Sequence, residues 1–175
     1  MSDTGGMASS GHRIILREAR RDDAEMLARI YNHYVLTDTC TFSTVPISTS
    51  DREEWIVEHS GTYSALVTEV GGEVIGFGAL SRYGQREAWS PTVEMSIYVD
   101  PNRRQQGAGR ALMEALLTKA KEVGHHAVIG QIVANNEPSL RLAEEMGFQR
   151  VGYLKEVGEK FGERLDIVLM EKLFD

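Results

Sequence analysis

Residues 99–110, VDPNRRQQGAGR, constrain this chain more than any other segment. Before them runs TVEMSIYV, a stretch rich in β-branched and aromatic residues that reads as a strand over residues 92–99. After them, Leu112, Leu116, Ala120 and Val123 recur along one side of a helix over residues 107–123. Pro101 turns the chain, while Gly107 and Gly109 offer no side chain to block a close approach. The free amides of the helix's first turn then converge on one spot, which the helix dipole makes positive. Such a spot suits a pyrophosphate. Arg103, Arg104 and Arg110 concentrate cations there, in a chain whose net charge is -7. The Gly-Lys-Ser/Thr ending of a P-loop is absent, and so is the G-x-G-x-x-G of a dinucleotide fold.

The rest of the chain alternates strand and helix signals. Residues 13–18 read as a strand. Asp22 or Asp23 then caps a helix with Ala24, Leu27, Ala28, Ile30 and Tyr31 as its apolar stripe. Residues 37–47 read as a loop, and Ser48 or Ser50 caps a shorter helix through Ile56. Strands over residues 63–70 and 73–80 meet at Gly71-Gly72, a hairpin signal because glycine tolerates positive φ. A strand over residues 127–133, a helix over 136–146 stopped by Gly147, and strands over 148–154 and 164–170 complete the chain. The order is that of an α/β chain with a mixed sheet.

At 175 residues the chain fits a single domain with one core, placed over residues 12–175. The small, polar start, residues 1–11, reads as a disordered leader. An acidic chain with no Lys/Arg run is unsuited to nucleic acid. No apolar stretch approaches the roughly 20 residues that cross a bilayer. Cys40, the only cysteine, can form neither an intramolecular disulfide nor a cysteine zinc site. No metal is expected, and the cysteine usage fits a cytoplasmic protein.

Arg104-x-x-Gly107-x-Gly109 matches the R/Q-x-x-G-x-G/A loop of the GNAT acetyltransferases. Further blocks fall in register: Ile30-Tyr-Asn-His33, Thr41-Phe42 with Pro46, Thr92-Val-Glu94 with Tyr98-Val99, Asn136-x-Pro-Ser139, Gly147-Phe148, and Lys160-Phe-Gly162 with Asp166. The chain resembles the phosphinothricin and methionine sulfoximine N-acetyltransferase branch over nearly its whole length. That resemblance implies a single-domain GNAT acyltransferase fold, with a mixed, mostly antiparallel twisted sheet of about seven strands and about four flanking helices. It also implies acetyl-CoA as cosubstrate, a small amino-acid-like amine as acceptor, and a homodimer.

Acetyl transfer needs the thioester held, its carbonyl polarised, the ammonium deprotonated and the thiolate accommodated. By resemblance, amides from Gln105, Gln106, Gly107, Ala108, Gly109 and Arg110, with Arg104, take the pyrophosphate. The strand edge at Ile97, Tyr98 and Val99 pairs with the pantetheine arm as an added strand would. The family splays this strand from its neighbour at a bulge, and one of its amides polarises the carbonyl. Asn136, with Ser139, corresponds to the contact with the CoA arm; Asn136 also reads as a helix N-cap, and both roles can coexist. Glu94 sits between Val93 and Met95, and alternation puts it on one face with Ser96 and Tyr98. A carboxylate in a partly buried cleft suits a base working through water, and Glu94 occupies the family's catalytic glutamate position.

Other positions depart from the pattern. Where many members carry a Tyr or His to protonate the thiolate, this chain has Ala143. His125, His126, Tyr98 or solvent could substitute. Of two basic positions that hold the acceptor's anionic end, the first is Gly84 and the second Arg86, with Arg82 nearby. Phe42 matches a pocket aromatic, and Trp89 falls where the family has a Tyr. Two alternatives stay open: an acetyltransferase for peptide or protein N-termini, and an acetyl-CoA-binding module that has lost catalysis.

Overall fold

A computed structural model describes residues 13–175; the leader expected over residues 1–11 lies outside them. The elements in chain order are β1 (Ile15–Glu18), α1 (Ala24–Thr37), α2 (Thr49–Glu58), β2 (Ala65–Val70), β3 (Glu73–Arg82), β4 (Thr92–Val99), α3 (Ala108–Val123), β5 (Ala127–Val133), α4 (Glu137–Glu145), β6 (Gln149–Lys160) and β7 (Glu163–Leu173). The seven strands form one sheet in the order β1-β2-β3-β4-β5-β7-β6. Only β4 and β5 run parallel. The other neighbours are antiparallel, so the mixed sheet read from the sequence is present.

Helices cover both faces. Leu112 and Leu116 of α3 and Leu140 of α4 share a core with Leu80, Val93 and Met95. On the opposite face, Leu27, Ile30 and Ile56 of α1 and α2 pack with Val67 and Phe77. Burying a leucine such as Leu112 or Leu116, both 0 % exposed, contributes roughly 1.5–3 kcal/mol. At Gly78 a Cβ would stand 2.9 Å from Leu116 Cδ1 and 2.9 Å from the Ser96 carbonyl. The missing side chain therefore lets α3 lie close on β3, and this sets where its N-terminus meets the sheet.

Several local expectations need correction. Asp23 is the residue before α1, but its carboxylate does not cap that helix. It accepts from the Arg20 amide and from the Arg17 guanidinium, both at 2.7 Å, because a strand-borne cation outcompetes a helix amide. In the same helix Tyr31 is only half-buried, whereas Tyr34 and Val35 are fully covered. Ser48 rather than Ser50 caps α2, accepting from the Asp51 amide at 3.1 Å. Val123, at the end of α3, is exposed. The final hairpin is longer at both strands, with β6 reaching Lys160 and β7 running from Glu163 to Leu173. Its polar outer residues hide the signal, since β6 lies at the sheet edge with few buried positions.

Candidate active site

The parallel ladder between β4 and β5 has three rungs, Thr92↔Ala127, Val93↔Val128 and Glu94↔Ile129. Beyond Glu94 the strands part. β5 continues against β7 as far as Val133, and β4 continues against β3 as far as Val99. The inner edge of β4 from Met95 onward therefore has no strand beside it. The expected splay is present, yet the β3–β4 register runs without a shift, so no bulge on that ladder produces it. Past Ile129, β5 pairs with β7 alone.

A cleft of about 930 Å³ fills the opening. Its walls include Glu94, Ile97, Tyr98 and Val99 from β4, the loop residues Arg104, Gln105, Gly107, Ala108, Gly109 and Arg110, and Asn136 and Ser139 at the start of α4. Among the residues expected at the phosphate loop, Gln106 alone is not part of the wall.

The loop is shaped for an anion. Gly107 precedes α3 at φ 86°, and Gln105 has φ 64°. A non-glycine residue in that region costs on the order of 1 kcal/mol, and such strain gathers at ligand-binding turns. The amides of the first turn of α3 then open toward the cleft with the helix dipole behind them. Arg104 supplies charge at the rim. Its guanidinium donates to the Tyr34 hydroxyl at 3.2 Å and lies 4.0 Å from Asp38. Tyr34 in turn donates to the Val99 carbonyl. Arg110 also reaches the rim but pairs with Glu145 of α4, and Arg103 turns away to Glu73 at 2.7 Å.

Asn136 sits at the start of α4 on the cleft wall. Its side-chain oxygen accepts from the Ser139 amide at 3.3 Å, capping α4, and the residue lines the cleft.

Glu94 stands half-buried where the strands part. Burial pushes its carboxyl above the ordinary carboxylate range, against a smaller opposing effect of Gln131, whose Nε2 donates to Oε1 at 3.1 Å. Gln131 was not singled out from the sequence. Its signal is β5 alternation, which puts it two residues beyond Ile129, the last partner of Glu94.

The loop after α1, expected over residues 37–47, has a place in the cleft that the sequence reading did not give it. Asp38, Thr39 and Cys40 form part of the cleft wall. Lys160 fixes that loop from behind: its ammonium is 4 % exposed and donates to the Asp38 and Thr41 carbonyls at 2.7 and 2.8 Å, and to Tyr34 at 3.2 Å. Burial pushes the Cys40 thiol up to about 12, which leaves little thiolate at neutral pH.

The acceptor residues expected from resemblance are elsewhere. Arg86 is exposed and precedes a single 3-10 turn over Glu87–Trp89. Trp89, 46 % exposed, packs edge-on against Tyr83 at 5.1 Å. Phe42 covers Gly158 of β6, where a Cβ would meet its ring at 2.2 Å. None of the three lines the cleft of this chain. Ala143 does line it. His125 and His126 do not: His125 is buried beside the Thr62 carbonyl, and the His126 amide donates to Pro91 ahead of β4.

The Acetyltransferase (GNAT) family model matches residues 27–148, which span the cleft from α1 to the end of α4. The chain belongs to the GNAT acetyltransferase family. It is accordingly an acetyl-CoA-dependent N-acetyltransferase. Among its relatives is the L-amino acid N-acyltransferase MnaT of Escherichia coli (strain K12), 32% identical over 91% of this chain and 94% of that protein. The phosphinothricin N-acetyltransferase of Streptomyces coelicolor is also 32% identical, over 90% of this chain and 94% of its own length. Among solved structures, yncA of Salmonella typhimurium with its cofactor acetyl-CoA superposes with a TM-score of 0.90 at 31% identity, covering 93% of this chain and 94% of that one. Loop, splayed strand and α4 N-terminus wall one cleft. Among the described residues, no helix is long and apolar enough to cross a membrane.

Proposed function

We propose that this GNAT enzyme acetylates the primary amine of a small amino-acid-like acceptor, of the phosphinothricin or methionine sulfoximine/sulfone type, with Glu94 as general base. One observation carries the reading: a half-buried carboxylate of raised pKa stands where β4 and β5 part, beside the bare inner edge of β4. The names of relatives, an L-amino acid N-acyltransferase and a phosphinothricin N-acetyltransferase, support the acceptor class.

In this reading the loop amides and Arg104 hold the pyrophosphate, with Gln106 keeping the loop's course rather than touching the ligand. The β4 edge from Ile97 to Val99 pairs with the pantetheine arm, and Asn136 and Ser139 steady it from α4. Glu94 takes a proton from the acceptor ammonium, directly or through one water. The free amine attacks the thioester carbon, the nitrogen sheds its second proton to water, and the carbon–sulfur bond breaks. A β4 amide stabilises the carbonyl oxygen during attack. Ala143 has no proton to give, which leaves the departing thiolate to Tyr98 of the cleft wall or to solvent. The single cysteine supports a cytoplasmic location. A homodimer also fits, with β6 at the sheet edge presenting exposed Val151, Tyr153 and Val157.

A second reading has one specific support. The ribosomal-protein-alanine N-acetyltransferase of Brucella melitensis is 32% identical, and its solved structure superposes with a TM-score of 0.89 over 91% of this chain and 99% of that one. Thiol release from acetyl-CoA, assayed against L-methionine sulfone, phosphinothricin, free amino acids and N-terminal alanine peptides, separates the two. Turnover confined to peptides would replace the proposal with the second reading. Silence across the panel with intact acetyl-CoA binding would leave a binding module.

A further inference from the structure

Arg52, near the start of α2, points inward and is 5 % exposed. Its Nε has no hydrogen-bond partner. The guanidinium lies among three rings, 4.9 Å from the centroid of Tyr31, 4.5 Å from Trp55 and 5.2 Å from Phe77. Burial holds it below the usual arginine range, and the groups opposing that effect are the tyrosines Tyr31 and Tyr98 rather than a carboxylate. The adjacent Asp51 is spent on the Ser48 amide at 2.9 Å. Lys160 offers a contrast, since three carbonyls satisfy its buried ammonium. The aromatic faces attract the Arg52 cation but accept none of its in-plane N–H bonds. A buried polar group left unbonded in a native fold calls for an explanation.

The surroundings supply one. Arg52 forms part of the wall of a second cavity of about 250 Å³, whose lining also includes Tyr31, Trp55, Phe77, Ser96, Tyr98 and the carboxylate-bearing Asp51. Ser96 and Tyr98 also line the acetyl-CoA cleft, so the two spaces meet at β4. Both share the strand face of Glu94, by the two-residue period. A small acceptor with its amine at Glu94 has this cavity on the α1–α2 side. We propose that Arg52 is the oxyanion-binding group of the acceptor site, its planar fork receiving a carboxylate or phosphinate while the aromatic cage fixes its plane. A guanidinium offers two parallel N–H donors to such a group. The assignment rests on the small-acceptor reading above, and it gives this role to a residue distant in sequence from Arg86.

Two measurements test it. The first compares KM values of the wild type, R52M, R52K and R86A for L-methionine sulfone, its α-amide, phosphinothricin and acetyl-CoA. R52M keeps the length and apolar fit of the stem, and R52K keeps the charge. We expect R52M to raise the KM for L-methionine sulfone at least 10-fold and that for acetyl-CoA less than 2-fold. R52K should fall between, and R86A should change less. If the α-carboxylate is the ligand, the α-amide will be poor for the wild type and indifferent to R52M. If the side-chain oxyanion is the ligand, only phosphinothricin will respond. Equal changes for acceptors and acetyl-CoA, or a lowered Tm alone, would reduce Arg52 to a packing residue and overturn the assignment. The second measurement needs no turnover. Sulfate is titrated into the CoA-bound protein, with W89F as the common background so that the fluorescence followed is that of Trp55. A saturable change in the wild type and R86A that is lost in R52M supports the oxyanion site even if no amino acid is acetylated. No change in the wild type overturns it.

Discussion

Gln131 of β5 donates from Nε2 to Glu94 Oε1 of β4 at 3.1 Å, across the point where the two strands stop pairing. The bond links the proposed base to the strand that leaves it. It stabilises the carboxylate, while burial opposes ionisation more strongly, and the net effect is a raised pKa.

For Glu94→Gln we expect kcat to fall by roughly 10²- to 10⁴-fold at neutral pH, the range of a lost general base. The wild-type rate should fall as pH drops through the raised carboxyl pKa, and the variant should lose that limb. Stability should move the other way. A carboxyl raised by folding stabilises the fold below its unfolded pKa, and that contribution is lost as pH rises through the folded value. At neutral pH the neutral glutamine removes a buried charge, so Tm should hold or rise. Thermal melts and a pH–rate profile check both; an unchanged profile removes Glu94 as base.

Asn136 offers a separation of two roles. Asn136→Ala should cost about 1 kcal/mol through loss of the α4 cap and should raise the KM for acetyl-CoA. Asn136→Asp keeps a good cap but loses the amide donor, so Tm should hold while KM still rises. Denaturant unfolding and initial rates on both variants distinguish cap from contact.

Lys160→Met should strip the carbonyls of Tyr34, Asp38 and Thr41 of their shared donor. Leaving buried acceptors unbonded costs about 2–4 kcal/mol in sum, read as a lower urea midpoint. Because Asp38, Thr39 and Cys40 wall the cleft, the KM for acetyl-CoA should rise as well.

Asp23 gives the acid limb of stability. Burial alone would raise its carboxyl, but hydrogen bonds from Arg17 and the Arg20 amide outweigh it and hold the group below the ordinary value. Its contribution is therefore full above the unfolded value, about 4, and is lost as pH falls through the lower folded one. Asp23→Asn should lose roughly 2 kcal/mol at neutral pH. The Tm gap from wild type should shrink as pH falls below about 4, and a constant gap would show that the ion pair contributes nothing.

The sequence by itself determined what depends on neighbours along the chain. The Gly71-Gly72 hairpin, the bounds of β4 and β5, a serine cap on α2 at Ser48 or Ser50 and the glycine loop into α3 all follow from local backbone preference and side-chain period. Alternation along one strand was enough to put Glu94 on a face with Ser96 and Tyr98. The tertiary structure decided what depends on two distant segments meeting. Past Ile129, β5 leaves β4 and pairs only with β7, 30 residues and more down the chain, and no local pattern records that. The same holds for Gln131 beside Glu94, and for Lys160 behind the loop of Asp38 and Cys40. Arg52 reads as a surface helix charge until Tyr31, Trp55 and Phe77 close around it. Phe42, Arg86 and Trp89 could be matched to positions, but which space a side chain enters is set by packing, and packing took them out of the cleft. Period and propensity fix how each element forms; only the assembled layers fix which side chains share a cavity.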